Sequence, residues 1–143
     1  FLIATNPGAE PGAIGKIASG GEMARFMLAL KVVMAQIGTA GTLVFDEVDA
    51  GIGGGTADAV GERLARLASE NHQVLVVTHA PQVAARAAHH YIVRKDGAEE
   101  VKTNILHLDS APERREEIAR MLAGAEITQE ARAAADVLLA VGT

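Results

Sequence analysis

Thr42-Leu43-Val44-Phe45-Asp46-Glu47 is the stretch on which the fold turns. A run of β-forming residues predicts a short strand. The strand stops at two adjacent carboxylates. In open parallel α/β sheets, ligands bind outside the carboxyl ends of the strands, where nucleotides and Mg²⁺ collect. The expectation is a buried strand that delivers Asp46 and Glu47 to such an edge. Many strands end in an acid, so the companions matter: Ser19-Gly20-Gly21-Glu22 upstream and Thr78-His79 downstream.

Outward from that strand the pattern alternates. Phe1-Leu2-Ile3-Ala4-Thr5 reads as a strand, and Asn6 to Gly15, with prolines and glycines, as a loop. A helix is expected from Ser19. Met23, Met27, Leu30, Met34 and Ile37 recur at helical spacing, and Leu28, Val32 and Val33 widen the apolar face. So wide a face predicts a helix largely buried between neighbours. Gly38 and Gly41 end it. After the Thr42–Phe45 strand, Gly51 to Gly55 form a glycine-rich loop. Thr56 is the expected N-cap of a second helix, with Val60, Leu64 and Leu67 inward and Glu62, Arg63 and Arg66 solvated. Gln73 to Thr78 is a second buried-type strand, and Pro81 suits the first turn of a third helix. Strand, helix, strand, helix predicts a parallel α/β sheet.

Beyond residue 90 the grammar changes. Tyr91–Lys95 and Glu99–Leu108 flank Asp96-Gly97, a hairpin signal. Ser110-Ala111-Pro112-Glu113 has capping-box spacing and opens a helix that stops near Gly124. Thr128 to Ala140 is an Ala- and Leu-rich last helix.

Composition narrows the function classes. The chain has 143 residues, enough for one domain with a core. With 49% apolar residues but only 3% aromatic, that core must be aliphatic. There is no cysteine, so disulfides and thiolate metal sites are excluded, which fits a reducing compartment. A net charge of −5 disfavours broad contact with a phosphate backbone, which needs clustered Lys and Arg. No apolar run reaches the roughly 20 residues of a membrane span, and the opening residues are too short for a signal peptide. A chain that opens in mid-strand without methionine is expected to be a fragment or a processed piece.

Each candidate residue has a plain alternative. Ser19 and Glu22 could form a capping box, but two glycines lower helix stability by about 1 kcal/mol each against alanine. Glycines expose bare amides at the positive end of a helix, where phosphate binds. Asp46 and Glu47 could be solvated acids. Functionally, Asp46 would hold Mg²⁺, directly or through water, and Glu47 would polarise the attacking water as general base or water-positioner. Asp49 could be a turn former or face a partner subunit. His79 sits at the carboxyl end of its strand and could donate to a terminal phosphate. His72, His89, His90 and His107 carry no such signal, and no further ligands accompany His89-His90 at metal-site spacing. Gly12 to Ile17 only superficially resembles a phosphate loop. The first position is Glu10 and the last is Ile17, so the glycine and the Mg²⁺-binding hydroxyl are both missing.

Ile17-Ala18-Ser19-Gly20-Gly21-Glu22, Thr42 through Asp46-Glu47-Val48-Asp49-Ala50-Gly51-Ile52-Gly53-Gly54, and Val76-Val77-Thr78-His79-Ala80-Pro81-Gln82 together resemble the RecN family. These are bacterial DNA-repair ATPases related to the structural-maintenance-of-chromosomes (SMC) proteins. The resemblance runs from Ala4-Thr5-Asn6-Pro7-Gly8 to Ala119-Arg120-Met121-Leu122. It implies that residues 1–143 are the C-terminal lobe of an ABC-type, P-loop-NTPase-like head, carrying signature, Walker B, D-loop and switch histidine. The N-terminal lobe with its phosphate loop, and the coiled coil, would lie outside this chain.

The resemblance further implies paired heads that sandwich ATP. Ser19, Gly20, Gly21 and Glu22 would meet ATP held by the opposite head, with Asp49 at the interface. Asp46, Glu47 and His79 would serve their own head's ATP. Implied partners are the N-terminal lobe, a second identical head and, through the full-length protein, DNA, with no membrane. The implied activity is Mg²⁺-dependent ATP hydrolysis in double-strand-break repair, in the cytoplasm at the nucleoid, with this segment alone inactive. The rival expectations are a non-hydrolytic, ATP-gated pairing module and a transporter ATPase subunit. The run after Glu47 argues against the transporter.

Overall fold

The computed structural model describes residues 2–4, 8–13, 20–37, 40–47, 49, 51–69, 72–96, 102–124 and 126–141. It divides into two compact units, Phe1–Thr78 and His79–Thr143. The mixed α/β class is the one expected, with a small parallel sheet in the first unit and a hairpin with helices in the second.

In the first unit, β1 (Leu2–Ile3) pairs antiparallel with β2 (Gly12–Ala13), Leu2 opposite Ala13. The loop expected from Asn6 to Gly15 therefore contains a short strand. Gly12 and Ala13 carry no β-forming side chains, so the pairing is imposed by β1 and not by local preference. Helix α1 (Gly20–Ile37) starts and stops where the sequence indicates. Its burial differs. Leu28 is buried, but Met27, Val33 and Met34 are exposed. α1 packs against the next helix along one side, so a wide apolar face is only partly covered within this chain.

β3 (Thr42–Phe45) and β4 (Gln73–Val76) form the parallel pair, with Thr42 opposite Gln73 and Phe45 opposite Val76. The backbone ladder extends past both ends: the Gln73 amide donates to the Gly41 carbonyl and the Val77 amide to the Phe45 carbonyl, each at 2.8 Å. The crossover is α2 (Gly54–Ser69), which packs on β4 and buries Ala57, Leu64 and Leu67, with Glu62, Arg63 and Arg66 exposed. Helix α2 begins at Gly54, so Thr56 lies inside its first turn and is not the N-cap. Its amide donates to the Gly53 carbonyl at 3.2 Å. The glycines accept the helical start that a capping residue was expected to mark.

The strands are also less buried than expected. Phe45 is 3% exposed, but Val44, Leu75 and Val77 are 65%, 49% and 51% exposed. Alternation puts Phe45 on one face and Val44 on the other, and Leu75 and Val77 likewise share a face. Among the described residues that second apolar face is exposed.

In the second unit, α3 (Pro81–Ala85) starts at Pro81 as expected, with Ala80 at the N-cap position. β5 (Tyr91–Asp96) and β6 (Lys102–His107) pair antiparallel, Tyr91 opposite His107 and Asp96 opposite Lys102. Gly97 of the expected turn lies outside the described residues. The Tyr91 and His107 rings stack with centroids 4.5 Å apart, and His107 also pairs with Asp109.

The capping box forms as read. The Ser110 hydroxyl accepts from the Glu113 amide at 3.3 Å, and the Ser110 amide donates to the Glu113 carboxylate at 3.1 Å. It opens α4 (Ala111–Ala123), which closes at Gly124 with φ 77. α5 (Gln129–Val141) follows, its first turn capped by Thr128, whose hydroxyl accepts from the Ala131 amide at 3.2 Å. The core is the seam of α3, α4 and α5: Ala84, Ala85, Ile118, Ala119 and Ala135, flanked by Ile127, Leu138 and Leu139. Alanines let the helices approach closely. Two forked ion pairs, Arg115 with Asp136 and Arg132 with Glu116, cross from α4 to α5. Such surface pairs contribute little, so the apolar seam holds the unit. No helix among the described residues is long and apolar enough to cross a membrane.

Candidate functional site

The best-defined chemistry lies just past β3. Phe45 anchors the strand end, and the next two residues, Asp46 and Glu47, are exposed. Glu47 has φ 49, the only positive φ of a non-glycine residue among those described. The left-handed region is disfavoured for a glutamate and costs on the order of 1 kcal/mol or more. It turns the chain sharply at the point where the strand ends. Strain of this kind concentrates where side-chain placement matters.

The loop then tightens. The Ile52 amide donates to the Asp49 carbonyl at 3.1 Å, closing a turn with Gly51 at its third position. Gly51 has φ 72, which glycine adopts without strain. Asp49 is half-buried in this turn. Asp46, Glu47 and Asp49 thus share one short loop between β3 and α2. The parallel pairing puts the carboxyl end of β4 beside that of β3, through the Val77-to-Phe45 bond.

The other expected residues lie on other elements. Gly20, Gly21 and Glu22 form the first turn of α1, whose leading amides have no partner within the helix by geometry. Ser19 lies outside the described residues. His79 is exposed and opens the second unit, immediately before α3. No group of three or more His, Cys, Asp or Glu among the described residues could enclose a metal ion. An exposed carboxylate at a strand end, Asp46, suits a hard cation that shares its shell with substrate phosphates and water.

The second unit holds a cluster that sequence reading passed over. His90 is half-buried between β5 and α3 in sequence, and its Nδ1 is buried without a hydrogen-bond partner. Burial pushes the His90 imidazole below the usual histidine range. The Glu117 carboxylate opposes this, and the Arg114 guanidinium adds to it. Folding therefore favours the neutral imidazole. The unfolded chain binds more protons below histidine's ordinary value of about 6.5, so this stabilisation is present above that pH and lost as pH falls through the folded value. The carboxylates held low by partners (Glu113 by Ser110, Glu116 by Arg132, Asp136 by Arg115) lose their contribution at more acid pH. Melting between pH 7.5 and 5.5 should therefore fall in the wild type and fall less in His90→Gln. Equal slopes would remove His90 as the cause. Arg114 had no sequence signal, because its partner is 27 residues away.

No family model matches the chain. Similarity to individual proteins is extensive. It is 53% identical over 139 residues to the DNA repair protein RecN of Xylella fastidiosa strain 9a5c, covering 97% of this chain and 25% of that protein. The RecN proteins of Rickettsia bellii and Treponema pallidum are 49% and 46% identical, over 97% and 99% of this chain and 25% of each relative. The chain is a segment of the RecN family. It spans about a quarter of the length of the curated relatives it matches. A solved chain from work on ATP-driven dimerization and DNA-stimulated activation of SMC ATPases superposes with a TM-score of 0.57 at 24% identity. The match covers 87% of this chain and 81% of that one. That likeness shows a shared mixed α/β fold.

Proposed function

We propose that this RecN segment is the C-terminal lobe of an SMC-like ATPase head that hydrolyses ATP in DNA repair. The observation that carries the reading is a parallel strand pair whose carboxyl edge presents exposed Asp46 and a left-handed Glu47, within a RecN-like sequence.

The chemistry follows from the side chains. Asp46 would hold Mg²⁺, which when bound would neutralise charge on the phosphates. Glu47 accepts the proton of the water that attacks the terminal phosphorus, while the bridging bond to ADP breaks. His79 donates a hydrogen bond to the terminal phosphate. Gly20, Gly21 and Glu22, with Ser19, offer their amides to ATP on a second, identical head, and Asp49 lies at that junction. The uncovered faces at Val44, Leu75 and Val77 and at Met27, Val33 and Met34 suit a head whose N-terminal lobe packs there. DNA binding, action on double-strand breaks and a nucleoid location belong to the full-length protein, since this acidic segment is poorly suited to hold DNA itself.

The test is metal- and lobe-dependence. Full-length protein should turn over ATP with Mg²⁺ and stop on chelation. The 143-residue chain alone should not turn over ATP and should regain turnover when the missing lobe is supplied. Turnover by this chain alone, or indifference to chelation, would reject the assignment.

A further inference from the structure

We propose that Arg114 is a positioning residue for His79, fixing the short helix that follows the histidine against the C-terminal helix pair. The inference rests on the catalytic reading of His79 given above.

His79 immediately precedes α3, which has only five residues. A helix that short has no stability of its own. The Val83 and Ala84 amides both donate to the Ala80 carbonyl at 3.1 Å, the Arg86 and Ala87 amides donate to the Val83 and Ala84 carbonyls at 3.2 Å, and no side chain caps its start. The position of the turn must therefore be set from outside.

The apolar contribution comes from Ala84 and Ala85 against Ile118, Ala119 and Ala135. Alanine surfaces pack closely but are smooth, and they resist sliding and rotation weakly. Val83 of α3 is buried as well, and one directional restraint is polar. Arg114 Nη2, on α4, donates to the Ala87 carbonyl at 2.6 Å. This is a charge-assisted bond to a carbonyl just past the end of α3, where the backbone dipoles are negative. Arg114 is half-buried, and its Nε is buried without a partner. Part of the guanidinium is thus withdrawn from water beside that bond. Beside it, a cavity of about 400 Å³ opens between Arg86, Ala88, Ala111, Arg114 and Leu139. Without the tie, the Ala87 end of the segment has room to shift. Backbone bonds link the segment in steps from Ala80 through Val83 and Ala84 to Ala87, so a shift at the Ala87 end is passed toward His79. A displacement of about 1 Å at a reacting group can reduce rate by roughly a hundredfold.

The test compares Arg114→Met, which keeps the apolar stem, with Arg114→Lys, which keeps a donor. Both are made in the full-length protein with Mg²⁺ and ATP, alone and with His79→Ala. Arg114→Met should lower kcat by roughly tenfold or more, with KM changed less than about twofold. Arg114→Lys should recover most of it. In the His79→Ala background, Arg114→Met should change kcat by less than about twofold, because the two residues act as one unit. Equal kcat for Arg114→Met and wild type, or an equal loss with and without His79, overturns the positioning role alone. Normal kcat for His79→Ala overturns the reading of His79 and the tie with it. If Arg114→Met does not fold, Arg114→Gln replaces it in the same comparison.

Discussion

Glu47→Gln in the full-length protein is expected to lower kcat for ATP by roughly 10²- to 10⁴-fold, the range a positioned general base supplies. Shape is conserved and only the proton-accepting charge is lost. Glutamine tolerates the left-handed backbone of φ 49 no worse than glutamate, so the melting temperature should stay the same. ATP binding and ATP-dependent pairing of heads should survive, since neither uses the base. The variant should therefore accumulate as long-lived pairs with unhydrolysed ATP. Steady-state turnover and pair lifetime measured together decide the matter. Near-normal turnover would reject Glu47 as the base. Lost turnover with lost pairing would move its role to binding. ADP release uncoupled from pair lifetime in the wild type would favour the non-hydrolytic module.

Gly21→Asp is the second large effect, and it separates folding from function. Gly21 is the second residue of α1. An aspartate in the first turn of a helix is favourable to the helix itself, and it replaces a glycine that weakens it. Helix stability should hold or rise. The same charge would face a phosphate, and like charges 4 Å apart repel by about 1 kcal/mol in water and about 4 kcal/mol near a protein surface. ATP-dependent pairing should weaken by roughly tenfold to a thousandfold, measured by light scattering against ATP concentration. Mixing this variant with Glu47→Gln tests the arrangement across two heads. If one head's amides serve the other head's ATP, a mixed pair has one intact site and regains turnover that neither variant shows alone. If the amides and acids of one head serve the same ATP, every site in the mixture carries a defect and no turnover returns.

Much of the local structure was legible. The Ser110–Glu113 box, Pro81 at a helix start and Gly124 at a helix end are decided by bonds within one turn, so neighbouring residues encode them. β3 and β4, and the loop acids after β3, followed from short-range pattern as well. The start of α2 was misplaced because glycines there accept helical geometry without a capping side chain.

The sequence by itself determined the order of strands and helices apart from β2, the carboxylates at the end of β3 and the family likeness, because each rests on periodicity or motif within a few residues. The tertiary structure alone decided that Glu47 takes a left-handed backbone, that Val44, Leu75 and Val77 lie uncovered, and that Arg114 reaches the Ala87 carbonyl. Apolar spacing records a tendency to be buried but not whether a covering surface is present. A bond between residues 27 apart depends on how the chain closes on itself, which no local pattern carries.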